Sequence, residues 1–425
     1  QIKSGGILMK KILLFLSVLA VVFSCGKKEE APKTDEKSTT AVTELKPEAG
    51  ATLKVWESKG KEKDWMEYVA KEFEAKYGVK VTYENVEAPD TVKKLQEEGK
   101  TSAGAADLVV FPHDNMGAAA SAGLLFSLND IPGLTENIES NFFPGAVSGS
   151  KTPDGKFYGA PLAMETYALF YNKDLLPEAP KSFEELIEKT KPMTDKGSQK
   201  FGILFEPANF YFSYAFLSSN GGYVFKNGTE ANDIGLNNEG AIKGLEAMLA
   251  LKAISVDKAE DANGNVIKAL FNEGKVAAVI NGPWFLGDLK DTKVKYAVAP
   301  LPTIAGQVPK SFSGVRILGI NSTSKYPQAA ALFIQFATSK EMLSKRFEMT
   351  GQIPPLKSFE PTDDISKAFL AQIAVAEPMP SIPQMGAVWV PMGAALNDAW
   401  SGKVAAKESL DKAVKTIKDQ MAATK

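Results

Sequence analysis

From residue 52 onward the chain alternates between two periodicities, and this alternation restricts its fold more than any other feature. "TLKVW" (52–56) has strand character. "DWMEYVAKEFEAKY" follows, with Met66, Val69, Phe73 and Tyr77 at helical spacing and Gly78 placed as a C-cap. "VKVTYE" is the next strand, and a second helical stretch runs near 89–100. "ADLVVF" is a continuous apolar strand, and "DNMGAAASAGLL" is a helix ending near Gly123. Strand, helix, strand, helix, strand is the order of a parallel α/β sheet. Ligands bind such sheets beyond the carboxyl ends of the strands. The turns "WESKGKE" (56–62) and "PHDN" (112–115) therefore share one rim.

The second half repeats the pattern. "KSFEELIEKT" carries Ser182 three residues before Glu185, a capping box. "KFGILF" is a strand, "EGAIKGLEAMLALK" a helix and "KVAAVING" a strand whose carboxyl end delivers Trp284. "VKYAVAPLP" and "GVRILGIN" are further strands, and "PQAAALFIQFATSKEMLSKRFE" and residues 388–420 are largely helical. A chain of 425 residues with this order is long enough for two α/β domains facing each other across a cleft. Trp284 sits where a buried strand has just been broken by Asn281-Gly282-Pro283. A tryptophan there belongs to a rim, where something can lie against it.

The N-terminal segment has a different character. From Met9, "MKKILLFLSVLAVVFSC" offers two lysines, an apolar run over 12–23 and then Cys25, the only cysteine. The run is too short to span a bilayer and has signal-peptide form. "VFSC" has the form of a bacterial lipobox, so residues 1–24 are expected to be removed and Cys25 to carry lipid. Met9 is expected to be the start codon, with 1–8 upstream read-through, which the gene's ribosome site would test. Residues 26–50 are charged, nearly free of large apolar side chains, and read as a disordered tether. The folded part is expected to begin near Ala51. The chain is mildly acidic, with net charge −2 and no basic block, which argues against nucleic-acid binding.

The chain has no Gly-rich phosphate loop, HExxH, GxSxG or metal-type Cys/His cluster. His113 is the single histidine, and its expected job is to cap the Asp114 turn. Enzyme signals are therefore weak. Aromatics and carboxylates at strand ends remain.

Six blocks carry a resemblance: "SAGLLFSL", "ETYALFYNKDLLPEAPKSFEEL", "NGGYVFKNG", "FNEGKVAAVINGPW", "YAVAPLPTIAGQ" and "IPQMGAVW". They resemble, in order, the maltose/maltodextrin-binding protein family, the solute-binding components of carbohydrate ABC transporters. The resemblance runs from about Thr52 to Lys418. It implies the two-lobe periplasmic-binding-protein fold (type II), closing on sugar in an interdomain cleft. One lobe would take 51–163 plus 315–360 and the other 167–312 plus 364–425, with crossings near 164–166, 313–314 and 360–363. It implies a monomer without cofactor or metal, handing a maltodextrin-like oligosaccharide to permease subunits at a membrane reached only through the lipid.

The resemblance also assigns residues. Trp284, Trp389 and Tyr211 are similar to residues that stack on sugar rings, and Phe111 stands where the family often has tryptophan. A flat aromatic covers the apolar C–H face of a sugar ring. Asp114 and Glu165 resemble carboxylates that accept sugar hydroxyls. Lys61 falls where the family has a sugar-contacting lysine, with Ser58 and Glu57 as neighbours in a turn that departs from the family's form. Two departures matter more. The family's arginine after the aspartate is Asn115 here, and the glutamate before the stacking tyrosine is Asn209. They leave the subsite short of one cation and one anion, so the sugar could be longer or differently linked. Two other readings keep the same residues. The scaffold could hold a different sugar or solute, or Asp114 and Glu165 could be the acid and base of a glycoside hydrolase.

Overall fold

The computed structural model describes residues 45–98 and 105–423. Cys25, the expected signal peptide and most of the expected tether lie outside the described residues. Among the described residues ten strands form two sheets. They are β1 (Thr52–Glu57), β2 (Lys80–Asn85), β3 (Leu108–Pro112), β4 (Ala160–Glu165), β5 (Ala168–Asn172), β6 (Phe201–Leu204), β7 (Val276–Asn281), β8 (Tyr296–Ala299), β9 (Phe312–Ile320) and β10 (Glu377–Pro378).

The first sheet has the order β10-β9-β3-β1-β2, with β4 also on β9; the second has the order β6-β7-β5-β8. The β1–β2, β1–β3 and β6–β7 pairs are parallel, as the alternation predicts. The sheets are nevertheless mixed. β9 runs antiparallel to both β3 and β4, and β5 runs antiparallel to both β7 and β8. "GVRILGIN" reads as a buried strand either way, because a fully buried strand shows the same apolar run whatever its direction. The chain leaves the first sheet at Glu165, enters the second at Ala168, and returns with β9 after β8.

Helices follow from spacing and caps. The helix Lys61–Tyr77 buries Trp65, Met66, Val69, Ala70 and Phe73 on one face and stops at Gly78, in the left-handed region at φ 68°. Ser182 caps Phe183–Thr190 by accepting from the Glu185 N–H at 3.0 Å. The stretch 327–348 is split into Pro327–Ala337 and Lys340–Thr350 by a new N-cap at Ser339, and 388–420 into Trp389–Ser401 and Ala406–Ala423 at Gly402. The fold also begins before Ala51. Leu45 packs on the first core, and the Glu48 carboxylate accepts from the N–H groups of Gln328 and Ala329 at 2.8 and 2.9 Å. A carboxylate there satisfies open N–H groups at a helix start, which tethers the chain three residues earlier than composition suggests.

Two cores divide at the second sheet. One surrounds the first sheet and reaches Phe170, Val279 and Phe285; the other lies under Leu169, Ile203 and Ile280 and holds Trp400, Leu245 and Leu410. Among the described residues no helix is long and apolar enough to cross a membrane.

Candidate functional site

The carboxyl ends of β1, β3, β6 and β7 all open on one cleft of about 1720 Å³. That exceeds the usual volume of a site for a drug-sized molecule, roughly 300–1,000 Å³, and suits an extended ligand. After β1 come Ser58 to Asp64; after β3, Asp114 and Asn115; after β6, Glu206, Asn209 and Tyr211; after β7, Trp284. Glu165, at the end of β4, and Trp389, opening its helix, complete it. Nine of the eleven residues expected from the sequence thus line one cleft: Trp284, Trp389, Tyr211, Asp114, Glu165, Lys61, Ser58, Asn115 and Asn209.

Two do not. Phe111 is completely buried in β3 and packs on Gly319 of β9. Leu108, Val109, Val110 and Phe111 are all covered on both faces, so Phe111 serves the core and not the rim. Glu57 is also completely buried. It acts behind the cleft, paired with Arg316 and Arg346.

One wall is aromatic. Trp56, Trp65 and Trp400 are fully buried, whereas Trp284 and Trp389, the other two of the five tryptophans, keep part of their surface in the cleft. The Trp284 indole lies flat over Gly282, where an added Cβ would meet the ring at 2.1 Å. Only glycine allows that approach. Tyr211 stands 6.3 Å from Trp284 and 5.0 Å from Tyr167, so its ring is held from two sides. Trp389 rests against Phe210 and Phe312 at 5.8 and 6.0 Å. Asn209 caps the helix Phe210–Ser219 by accepting from the Tyr211 N–H at 3.1 Å, and its amide donates to Glu206 at 2.8 Å.

The facing wall is charged. Burial pushes the Asp114 carboxyl up to about 7, against hydrogen bonds from its own backbone and from the Trp389 indole. Glu165 is likewise raised by burial, with Arg316 opposing and the nearby Glu62 reinforcing it. Burial also works to raise Glu57, but Arg316 and Arg346 outweigh it and hold this carboxylate low. Gln352 donates to Glu165 at 2.8 Å and to Glu62 at 3.1 Å, and accepts from Arg346 Nε at 2.9 Å. The Ser58 hydroxyl accepts from Arg316 and from the Ala88 N–H at 2.8 and 3.0 Å, leaving its own proton for a ligand. Lys61 pairs with Asp64 at 3.0 Å on the exposed lip. The Asn115 side chain makes no hydrogen bond among the described residues.

His113 does not cap the Asp114 turn. Its Nδ1 accepts from the Val315 N–H at 3.0 Å, and its Nε2 meets the Met379 carbonyl at 2.9 Å. That fixes a neutral ring with the proton on Nε2, and burial drops its pKa to about 4. The ring fastens the turn carrying Asp114 to β9 and to the segment after β10.

Sequence reasoning missed Arg316 and Glu206. Both line the cleft, one a cation and one an anion, at positions other than those of Asn115 and Asn209. Arg316 had a signal: it is the one charge inside the apolar run of β9.

The sequence profile of bacterial extracellular solute-binding proteins matches residues 68–372. The galactooligosaccharide-binding protein of Bacillus subtilis is 32% identical, over 97% of this chain and 98% of its own. The maltooligosaccharide ABC transporter solute-binding lipoprotein of Streptococcus pneumoniae serotype 4 is 33% identical, over 98% of this chain and 97% of its own. Among solved structures, a cyclo/maltodextrin-binding protein complexed with maltotetraose superposes with a TM-score of 0.75 at 35% identity, over 87% of this chain and 97% of that one.

Proposed function

This chain belongs to the family of bacterial extracellular solute-binding proteins, and from that premise we propose that it captures maltodextrin-type oligosaccharides for a carbohydrate ABC transporter. One observation carries the reading. Two partly exposed tryptophans and Tyr211 line one cleft together with Asp114 and Glu165, at four strand ends. A sugar ring has an apolar face and a rim of hydroxyls, and the two walls match the two chemistries.

In this reading the chain has two lobes, 51–163 plus 315–360 and 167–312 plus 364–425, hinged where it passes between the sheets. Ligand contacts from both lobes bias the closed state, and the closed monomer docks on the permease subunits. Cys25 carries the lipid that holds the protein on the outer face of the membrane. It binds without catalysis: Asp114 and Glu165 accept hydroxyls and cleave nothing.

Tryptophan fluorescence of the full chain, titrated with maltose, maltotriose, maltotetraose and a cyclodextrin, tests this. The expected result is saturable binding that strengthens with chain length, with maltotetraose recovered intact. Product formation would favour a hydrolase. The galactooligosaccharide-binding relative supports a second reading, in which the ligand is a galactooligosaccharide. Binding of a galactotetraose in preference to maltotetraose would select it.

A further inference from the structure

The chain has 49 lysines and arginines, and only Arg316 and Arg346 are arginine. Both are buried, 8% and 1% exposed, and both are paired with the one carboxylate of Glu57. Lysine serves every other basic position, so the chain's general usage does not account for these two. A guanidinium offers a rigid fork of five N–H donors, where an ammonium is a point charge.

The two differ in how the fork is used. Arg346 is occupied within the fold: Nε donates to Gln352, the Nη atoms reach Glu57 at 3.4 Å, and its plane lies 4.5 Å over Trp65. Arg316 uses only Nη2, which donates to Glu57 and to Ser58. Its Nη1 is 3.6 Å from Glu165, and its Nε is buried with no partner. Three of its five donors therefore make no hydrogen bond among the described residues. Arg316 also lines the cleft, opposite Pro112 on β3 and Ala163 on β4, between the strands that lead to Asp114 and Glu165. A buried donor left without a partner is costly, and more so when it is charged. Such a group persists where an arriving ligand uses it.

We infer that Arg316 is a ligand-contacting, specificity-determining residue, whose Nη1 donates to a hydroxyl of the bound oligosaccharide while Glu57 holds the guanidinium in place. The inference rests on the oligosaccharide reading of the cleft. Glu165 accepts from one hydroxyl and Arg316 donates to its neighbour, so the pair reads two adjacent hydroxyls of one ring. Arg346 is a positioning residue: it shares Glu57 with Arg316 and holds Gln352 against Glu165.

The arginine count makes the test direct. A full chain labelled with isotopic arginine gives two side-chain Nε–H resonances, and Arg316→Lys identifies one of them by its loss. The ligand is maltotetraose or galactotetraose, whichever binds the wild type. At saturation the Arg316 resonance is expected to shift and its exchange with water to slow, while the Arg346 resonance stays in place. Arg316→Lys should weaken binding about 10- to 100-fold, the value of a hydrogen bond to a charged group, with an unchanged circular dichroism spectrum. Saturation that leaves the Arg316 resonance unmoved would overturn the inference alone, and the wild-type spectrum decides this even where Arg316→Lys fails to fold. Absence of binding by the wild type to either sugar would overturn the oligosaccharide reading and the inference together.

Discussion

The two walls of the cleft are built on opposite terms. The aromatic wall, Trp284, Tyr211 and Trp389, stands on the second core and is supported by other rings and by backbone. Its side chains carry no formal charge and need no partner to be stable. The charged wall, Ser58, Asp114, Glu165 and Arg316, stands on the first sheet, where Arg316 is compensated by Glu57 and Glu165 while Asp114 has no ion pair among the described residues and is raised by burial. One wall stores apolar area and the other stores electrostatic stress. Affinity should therefore come mostly from the first wall, and pH dependence and selectivity from the second.

The largest effect should fall on stability. The folded-state pKa of Asp114 is about 7, against 3.8 in an unfolded chain. Between those values the folded protein binds the extra proton, so this residue's contribution falls as pH rises from about 4 to about 7. Above pH 7 the deficit reaches about 4 kcal/mol. Asp114→Asn removes that cost, so urea denaturation at pH 8 should show a protein more stable by up to about 4 kcal/mol that binds sugar more weakly. Equal or lower stability would mean that the charged wall is not strained. Buried neutral His113 acts in the opposite direction. Its folded pKa of about 4 lies below the usual 6.5, so its contribution is complete above pH 6.5 and is lost as pH falls towards 4. In Asp114→Asn the opposing gain from Asp114 is gone, so the acid-side loss from His113 should show more clearly and stability should drop below pH 6.

Next comes the aromatic wall. Trp284→Ala should weaken oligosaccharide binding about 100-fold, the order expected for burying about 110 Å² of apolar surface at about 25 cal/mol per Å². Its pH profile of binding, measured by calorimetry, should keep the shape of the wild type. A changed profile would show that the walls are not independent. Trp389 is where they touch, because its indole N–H acts to lower the buried Asp114 carboxyl. Trp389→Phe keeps most of the ring and loses the indole N–H, so affinity should fall about 10-fold and the Asp114 titration should move further up.

Legibility in the sequence followed the same division. The aromatic wall could be read because turn chemistry exposes it: "NGPW" breaks a strand and leaves a large ring at its end. Helix caps such as Ser182 and Gly78 were legible for the same local reason. The charged wall was only half legible. Asp114 and Glu165 sit at element ends, but Arg316 is placed by the antiparallel pairing of β9 with β3 and β4, which no local pattern encodes. Phe111 misled because β3 is buried on both faces, so its periodicity does not say which side chain reaches the rim. Glu57 lies at the right strand end yet points inward to the two arginines.

The smallest effect belongs to the lip. Lys61 is exposed and already paired with Asp64 at 3.0 Å, one helical turn along. An exposed pair of this kind gains little, about 0–1 kcal/mol, because water screens both charges. A sugar hydroxyl that recruits the ammonium must compete with Asp64, so Lys61→Ala should weaken binding by about twofold, and by less in high salt. Depth, and not charge alone, separates the two cations of the cleft. Arg316 and Lys61 are both cations on the same cleft, but one is held rigid in low dielectric and the other is solvated. A loss at Lys61 as large as that expected at Arg316 would mean that closure buries the lip as deeply as the floor.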